Sequence, residues 1–117
     1  MKKRFFTVAL TVLIAASGAR AGVDEDTTRV RQEWERIKYQ VPASEQASAF
    51  ERLAKESEKL ATQYPDRAEP VIWHGIIEAS YAGAKGGLGA LSLVKQARVA
   101  FERAMALDAK ALDGSAY

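Results

Sequence analysis

Residues 71–81, VIWHGIIEASY, are the stretch that decides the fold of this chain. A helix drawn through them is apolar on most of its circumference, which is typical of a helix buried on most sides. Gly75 lies in the middle, where glycine costs about 1 kcal/mol relative to alanine, so we expect a neighbouring helix to approach closely there. The stretch therefore predicts a helix, beginning after Pro65, that is the most buried element of the protein and in this sense its central helix.

The two ends of this central helix also have sequence signals. Asp66 and Glu69 have the spacing of a capping box, in which side chains bond the free N–H groups of the first turn. Pro70 falls in that first turn, where its missing N–H leaves no hydrogen bond unmade. Residues 82–89, AGAKGGLG, are predicted to form a loop, because glycine lowers helix stability.

Three further helices are predicted from the same apolar period. They cover about residues 24–39, 44–64 and 90–107. The first ends at Pro42, and Ser44 is the predicted N-cap of the second. No stretch alternates apolar and polar residues as a half-buried strand would, so the chain is predicted to be all-α.

The first 21 residues have the three parts of a cleavable export signal. Residues 2–4 (KKR) are basic, residues 5–16 are almost wholly apolar, and residues 19–21 (ARA) have the small-x-small pattern of a signal peptidase site. The apolar run is about a dozen residues, short of the roughly 20 that a membrane-spanning helix requires. The sequence predicts cleavage between Ala21 and Gly22 and a periplasmic or secreted protein.

Removal of this signal changes the charge of the chain. The sequence has 17 basic and 15 acidic residues, and the signal holds four basic residues and no acidic one, which leaves a helical domain at residues 22–117 with a formal charge of −2. No positive excess remains to attract phosphate backbones, so no nucleic-acid partner is predicted. With a single histidine and no cysteine, the chain lacks the usual ligands of a transition metal, so no metal site is predicted. No cofactor and no membrane span after cleavage are predicted either.

Two stretches resemble each other when the sequence is shifted by 44 residues. Residues 58–73 read EKLATQYPDRAEPVIW, and residues 102–117 read ERAMALDAKALDGSAY. Charged residues match at the start, apolar helix positions follow, and Trp73 pairs with Tyr117 at the end. A repeat of this length is typical of a helical solenoid, in which each unit buries its apolar face against the next.

The repeated unit resembles the tetratricopeptide repeat family. Residues 97–104 (ARVAFERA) have the family's second-helix spacing of Ala, Phe four residues on and Ala three residues further. Residues 107–109 (LDA) stand where the family often has a Leu-Asp/Asn-Pro turn, and residues 71–75 match the family's large residue and its Gly four residues on. Trp73 departs from the pattern by two residues, and the glycine-rich segment inserts about ten residues between the two helices of a family unit.

The resemblance implies a short right-handed solenoid of stacked antiparallel helical hairpins, whose first helices line a concave groove. Residues 73–91, WHGIIEASYAGAKGGLGAL, with ALDGSAY at residues 111–117, also resemble a narrower group. These are small exported proteins similar to the T component associated with tripartite (TRAP) solute transporters. The lipid-anchoring cysteine of some members has no counterpart in this chain.

The end of the chain leaves two alternatives. Residues 109–117 are predicted to form a turn and the first residues of a fifth helix, where another unit would begin. Terminal units of a solenoid usually need a polar outer face. Either the sequence is a truncated product, or a partner covers the last apolar face.

Five residues are the candidates for contact with a ligand or partner, and all lie on the central helix or directly after it: Trp73, His74, Ile77, Tyr81 and Lys85. Aromatic and apolar side chains at helical spacing can line a peptide or apolar-ligand groove. The same spacing is also typical of core residues.

Catalytic chemistry is disfavoured. His74 and Glu78 are four residues apart and can touch on one helix face, but an acid–base pair with no Ser or Asp constellation is not a site. Residues 83–87 (GAKGG) lack the order of a phosphate-binding loop, and the acidic residues 24–26 lack the spacing of a calcium loop. These three acidic residues are predicted to form a new N-terminus or a helix cap.

The sequence thus predicts a non-enzymatic, exported helical-repeat protein that acts as a scaffold for a protein or peptide partner or a small apolar ligand. The alternative is an accessory subunit, similar to the T component, of a TRAP-type solute uptake system.

Overall fold

The computed structural model describes the backbone of residues 12–116 and the side chains of residues 22–112 and 114–116. All regular structure in this part of the chain is helical, which confirms the predicted all-α class. The elements are α1 (Val12–Gln40), α2 (Ala43–Gln63), α3 (Ala68–Lys85), α4 (Leu88–Leu107) and a 3-10 helix (Ala111–Gly114). Residues 1–11 of the predicted export signal, and Tyr117, lie outside the described residues.

The central position predicted for α3 is confirmed. It contacts α1, α2, α4 and the 3-10 helix. Its apolar side chains point in several directions, and Val71, Ile72 and Ile77 are fully buried among these neighbours. α3 therefore forms the middle of the molecule.

Two apolar clusters lie on different faces of α3. The first joins α1, α2 and α3. α1 contributes an apolar stripe at helical spacing, in which Val30 and Ile37 are buried and Trp34 and Val41 pack beside them. The second joins the end of α2 to α3, α4 and the 3-10 helix, largely through alanines. Small side chains let α4 lie close to α3, since their Cβ atoms add little width to the contact.

α1 is longer than the sequence pattern indicates. It begins at Val12 rather than near Asp24, so residues 24–26 lie inside the helix and do not cap it in the uncleaved chain. The new N-terminus predicted after cleavage stays a prediction. Residues 12–23 contain no proline and are rich in alanine and aliphatic residues, which sustain a helix. The helix ends at Gln40, two residues before Pro42, as predicted.

Neither predicted side-chain cap forms. The N-cap of α2 is Pro42, and Ser44 lies inside the helix, while the N-cap of α3 is Arg67 and no side chain bonds the first turn. Glu69 Oε1 instead accepts a hydrogen bond from Arg67 Nε at 3.2 Å. The N-caps of α2 and α3 lie two residues and one residue from the predicted positions. In both cases a turn that contains a proline precedes the helix and sets its first residue.

The C-terminal end of α1 is closed by a side chain from α2. Gln46 Nε2 lies 3.2 Å from the Ile37 carbonyl, 3.3 Å from the Lys38 carbonyl and 3.0 Å from the Val41 carbonyl. The last carbonyls of a helix have no partner within the helix. Gln46 supplies one and so ties the two helices together at their connection.

The glycine-rich segment is almost entirely helical, so the predicted loop at residues 82–89 is wrong. α3 continues to Lys85 and α4 starts at Leu88, which leaves only Gly86 and Gly87 between them. Their φ angles are 66° and 70°, a left-handed conformation that glycine adopts without a steric penalty. Two such residues suffice to reverse the chain, and the rest of the segment lengthens the two helices instead of forming an insertion between them.

Gly75 lies against α4, which confirms the close approach predicted from the sequence. A Cβ atom built on Gly75 would lie 2.8 Å from Cε1 of Phe101, closer than unstrained carbon atoms pack. The absent side chain lets the Phe101 ring lie on the backbone of α3.

After α4 the chain forms the short 3-10 helix Ala111–Gly114 instead of starting a fifth α-helix. Leu112 in this turn has a φ angle of 50°, which is uncommon for a residue with a side chain. Over the described residues, no helix combines the length and the apolar character needed to cross a membrane.

Candidate functional site

The structure places the five candidate residues in different surroundings. Ile77 is fully buried in the first apolar cluster. Trp73 is half-buried and meets Trp34 of α1 edge-on, with 5.6 Å between ring centroids. Ile77 and Trp73 therefore do not line one continuous groove, because α1 covers the face of α3 on which Trp73 lies.

Tyr81 and Lys85 lie at the C-terminal end of α3. The Tyr81 hydroxyl donates a hydrogen bond to Glu51 Oε2 of α2 at 3.1 Å. Lys85 is exposed, and its Nζ lies 5.7 Å from the centroid of the Tyr81 ring. This distance is within the range of a cation–π contact. These two residues hold the end of α3 against α2 and the following turn.

His74 lines an apolar groove, which we call the α3/α4 groove. It has a volume of about 650 Å³ and opens between α4 and the end of α2, above α3. The lining residues are Ala61, Val71, His74, Leu88, Leu91, Ser92, Lys95, Gln96, Val99, Ala100 and Arg103. Most of them come from one face of α4, since positions three and four residues apart share a side of a helix.

Large apolar side chains on the α4 wall of this groove are exposed to solvent. Leu88 is 96% exposed, Leu91 60% and Val99 64%. Lys95 and Arg103 lie between and beyond them, and no acidic residue lines the groove. The floor is formed by buried apolar residues such as Val71 and Ala100. The wall therefore combines apolar contact surface with two fixed positive charges.

Trp73 lines a second depression, between α1, α3 and the 3-10 helix. Its volume is about 620 Å³, and Thr27, Thr28 and Ile76 are among its lining residues. Charges of both signs surround it, including Asp24 of α1, which pairs with Arg67 at 3.5 Å. The sequence placed Trp73 and His74 in one candidate groove, and the structure separates them onto two sides of α3.

A cluster of polar side chains lies beneath the α3/α4 groove. His74 Nδ1 is 2.9 Å from Oγ of Ser57, and His74 Nε2 is 3.5 Å from Oε1 of Glu78. Ser57 is fully buried and Glu78 is 5% exposed. The contact between His74 and Glu78 was expected from their spacing, but Ser57 was not, because it lies on α2, 17 residues away in the sequence.

Burial governs the protonation of this cluster. It lowers the pKa of the His74 imidazole; the nearby Glu58 carboxylate acts in the opposite direction, and Arg103 lowers this pKa further. Burial also raises the pKa of the Glu78 carboxyl, and Glu58 raises it further. Both shifts favour the neutral form of a buried group.

The arrangement of Ser57, His74 and Glu78 has the composition of a hydrolytic triad but not its accessibility. The Ser57 hydroxyl donates to the Ala54 carbonyl at 3.0 Å and has no exposed surface. A nucleophile must reach its substrate, and a general base must have a ring nitrogen free to take the proton. Both nitrogens of His74 face buried partners, Ser57 on one side and Glu78 on the other.

Two further findings bear on function. Among the residues described by the structure, no group of three or more His, Asp or Glu side chains is placed to hold a metal ion. Comparison of the sequence and structure with family models, curated proteins and solved structures finds no match.

Proposed function

We propose that the protein is a non-enzymatic scaffold of stacked helical hairpins, which holds an apolar segment or ligand in the α3/α4 groove. The observation that carries this proposal is the row of exposed leucine and valine side chains along that groove. Contiguous exposed apolar surface on a small domain is typical of an interaction site. Lys95 and Arg103 at the same wall add charges that can fix the orientation of a bound partner.

The contacts between helices support the stacked arrangement. α1 and α2 are joined by a short link and form one hairpin, and α3 and α4 form the next. α3 contacts both helices of the first hairpin as well as α4, and the 3-10 helix contacts α3 in turn. In a tetratricopeptide-like solenoid each hairpin packs on its neighbour in this order.

The proposal places the protein outside the cytoplasm. Cleavage between Ala21 and Gly22 would shorten α1 and put residues 24–26 in its first turn, where the helix dipole favours acidic side chains. N-terminal sequencing of protein from the exported fraction tests this directly. We expect the sequence GVDEDTT; recovery of the intact start MKKRFF from that fraction would contradict export by cleavage.

Binding of an apolar probe tests the groove itself. We expect the purified protein to bind the neutral fluorophore N-phenyl-1-naphthylamine with saturation at one site. Replacement of Leu91 and Val99 by Gln should weaken that binding by about tenfold or more, because burying one aliphatic side chain contributes about 1.5–3 kcal/mol.

Val94 offers a matched control, since it is on the same helix and half-exposed but lines a different surface. A Val94→Gln variant should bind the probe like the unaltered protein. Absence of saturable binding, or equal losses in the groove and control variants, would overturn the assignment of this groove.

A further inference from the structure

We propose that Ser57, His74 and Glu78 form an acid-sensitive latch between α2 and α3, in which a neutral Glu78 carboxyl faces the acceptor nitrogen of a neutral His74. The latch lies under the α3/α4 groove, and His74 belongs to both. The proposal rests on the direction of the hydrogen bonds and does not depend on what the groove binds.

The direction of the first bond follows from Ser57. Its hydroxyl has one proton, and the Ala54 carbonyl at 3.0 Å can only accept. The Ser57 oxygen is therefore the acceptor in its 2.9 Å contact with His74, and Nδ1 must carry the hydrogen. This fixes one tautomer of the imidazole ring.

The protonation state of Glu78 follows from the tautomer of His74. A neutral imidazole with hydrogen on Nδ1 has an acceptor lone pair on Nε2, which faces Oε1 of Glu78 at 3.5 Å. Only a protonated carboxyl can donate to that lone pair. Oε2 of Glu78 is buried and has no hydrogen-bond partner among the described residues. An ionised Glu78 would thus hold an unpaired charged oxygen in an apolar setting, which is costly.

A second proton breaks the chain of bonds. With hydrogen on both ring nitrogens, Nε2 no longer offers a lone pair to the Glu78 O–H, and one positive charge is buried beneath the groove, which is costly. The charged groups that act on the cluster are Glu58 from α2 and Arg103 from α4, with opposite effects on His74. α1 packs on a different face of α3, through the contact of Trp34 with Trp73 and Ser80.

The effect on stability has a definite sign at each end of the pH scale. The pKa of His74 is lowered from 6.5, so its contribution is fully present above 6.5 and is lost as the pH falls through the folded-state pKa. The pKa of Glu78 is raised from 4.5, so its contribution is fully present below 4.5 and is lost as the pH rises through the folded-state pKa. Between these values the two trends oppose each other.

Nitrogen NMR of the imidazole tests the latch without ambiguity, because His74 is the only histidine in the chain. We expect hydrogen on Nδ1 and a bare Nε2 at pH 7, with the same state persisting below pH 6.5. Ser57→Ala should shift the ring toward the Nε2–H tautomer, since Nδ1–H then has no acceptor. Glu78→Gln, whose amide can still donate, should keep the Nδ1–H tautomer.

Urea unfolding across the same pH range gives a second readout. The Glu78→Gln variant cannot ionise, so it should lose the fall in stability that ionisation of Glu78 causes as the pH rises, while the acid decline remains. An Nε2–H tautomer or an imidazolium at pH 7 in the unaltered protein would overturn the proposal. So would a fall in stability of equal size with rising pH in Glu78→Gln, a measurement that stands even if Ser57→Ala does not fold.

Discussion

At the scale of single residues, the contact between Gly75 and Phe101 decides how closely α3 and α4 approach. Gly75→Ala would place a methyl group 2.8 Å from the Phe101 ring, so the ring or the helix must move. We expect a net loss of about 1–3 kcal/mol in the free energy of unfolding, which is typical of overpacking a tight contact. Chemical denaturation followed by helical circular dichroism measures it.

Gly83 is the matched control for that substitution. It lies in the same helix, but a Cβ atom there would meet nothing within 4 Å. Gly83→Ala should therefore stabilise the protein by about 0.5–1 kcal/mol, because alanine is the better helix former. If both variants gain stability, the close packing of Phe101 on α3 is not real.

At the scale of elements, the link between α1 and α2 depends on a side chain rather than on the turn itself. Gln46→Ala would leave the carbonyls of Ile37, Lys38 and Val41 without the amide that reaches them. We expect a loss of about 0.5–1.5 kcal/mol, the usual net contribution of one hydrogen bond. Thermal unfolding of this variant and of Ser48→Ala, an exposed position nearby, separates the effect from the change in helix propensity that alanine brings at both positions. Equal stability of the two variants would contradict the closing role of Gln46.

The sequence predicts the helices well and their ends less well. The apolar stripe of α1 and the burial of α3 follow from the period of the apolar residues, because that period shows which face of a helix is buried. Ser44 and Asp66 have the right chemistry for caps, but the turn before each helix decides where it starts. Among the glycines of the 82–89 segment, only Gly86 and Gly87 have the left-handed conformation that breaks a helix.

The same distinction applies to the site. His74 and Glu78 are four residues apart on one helix, so their contact is a local property that the sequence reveals. Ser57 reaches His74 only because α2 packs on α3, and nothing in the residues around Ser57 indicates this. The sequence also does not predict the α3/α4 groove, because the exposure of Leu91 and Val99 depends on which side of α4 packs on α3.

At the scale of the whole molecule, the helices leave one side of α4 open. Leu88, Leu91 and Val99 are as apolar as core residues but have no covering element within the described part of the chain. About 22 Å of helix separates Leu88 from Arg103, at 1.5 Å per residue, which is long enough for several residues of a bound segment. We therefore expect a partner or ligand to cover this wall in the cell.

Site-specific photo-crosslinking in cells that produce the protein natively is the most direct test of that claim. A photoreactive side chain at Leu91 should give a discrete adduct, and one at Lys55, an exposed position on α2 outside the groove, should not. A solute-binding protein as the adduct would place the protein beside transporter accessory subunits. No adduct from Leu91, or the same adducts from both positions, would contradict a partner-binding role for the α3/α4 groove.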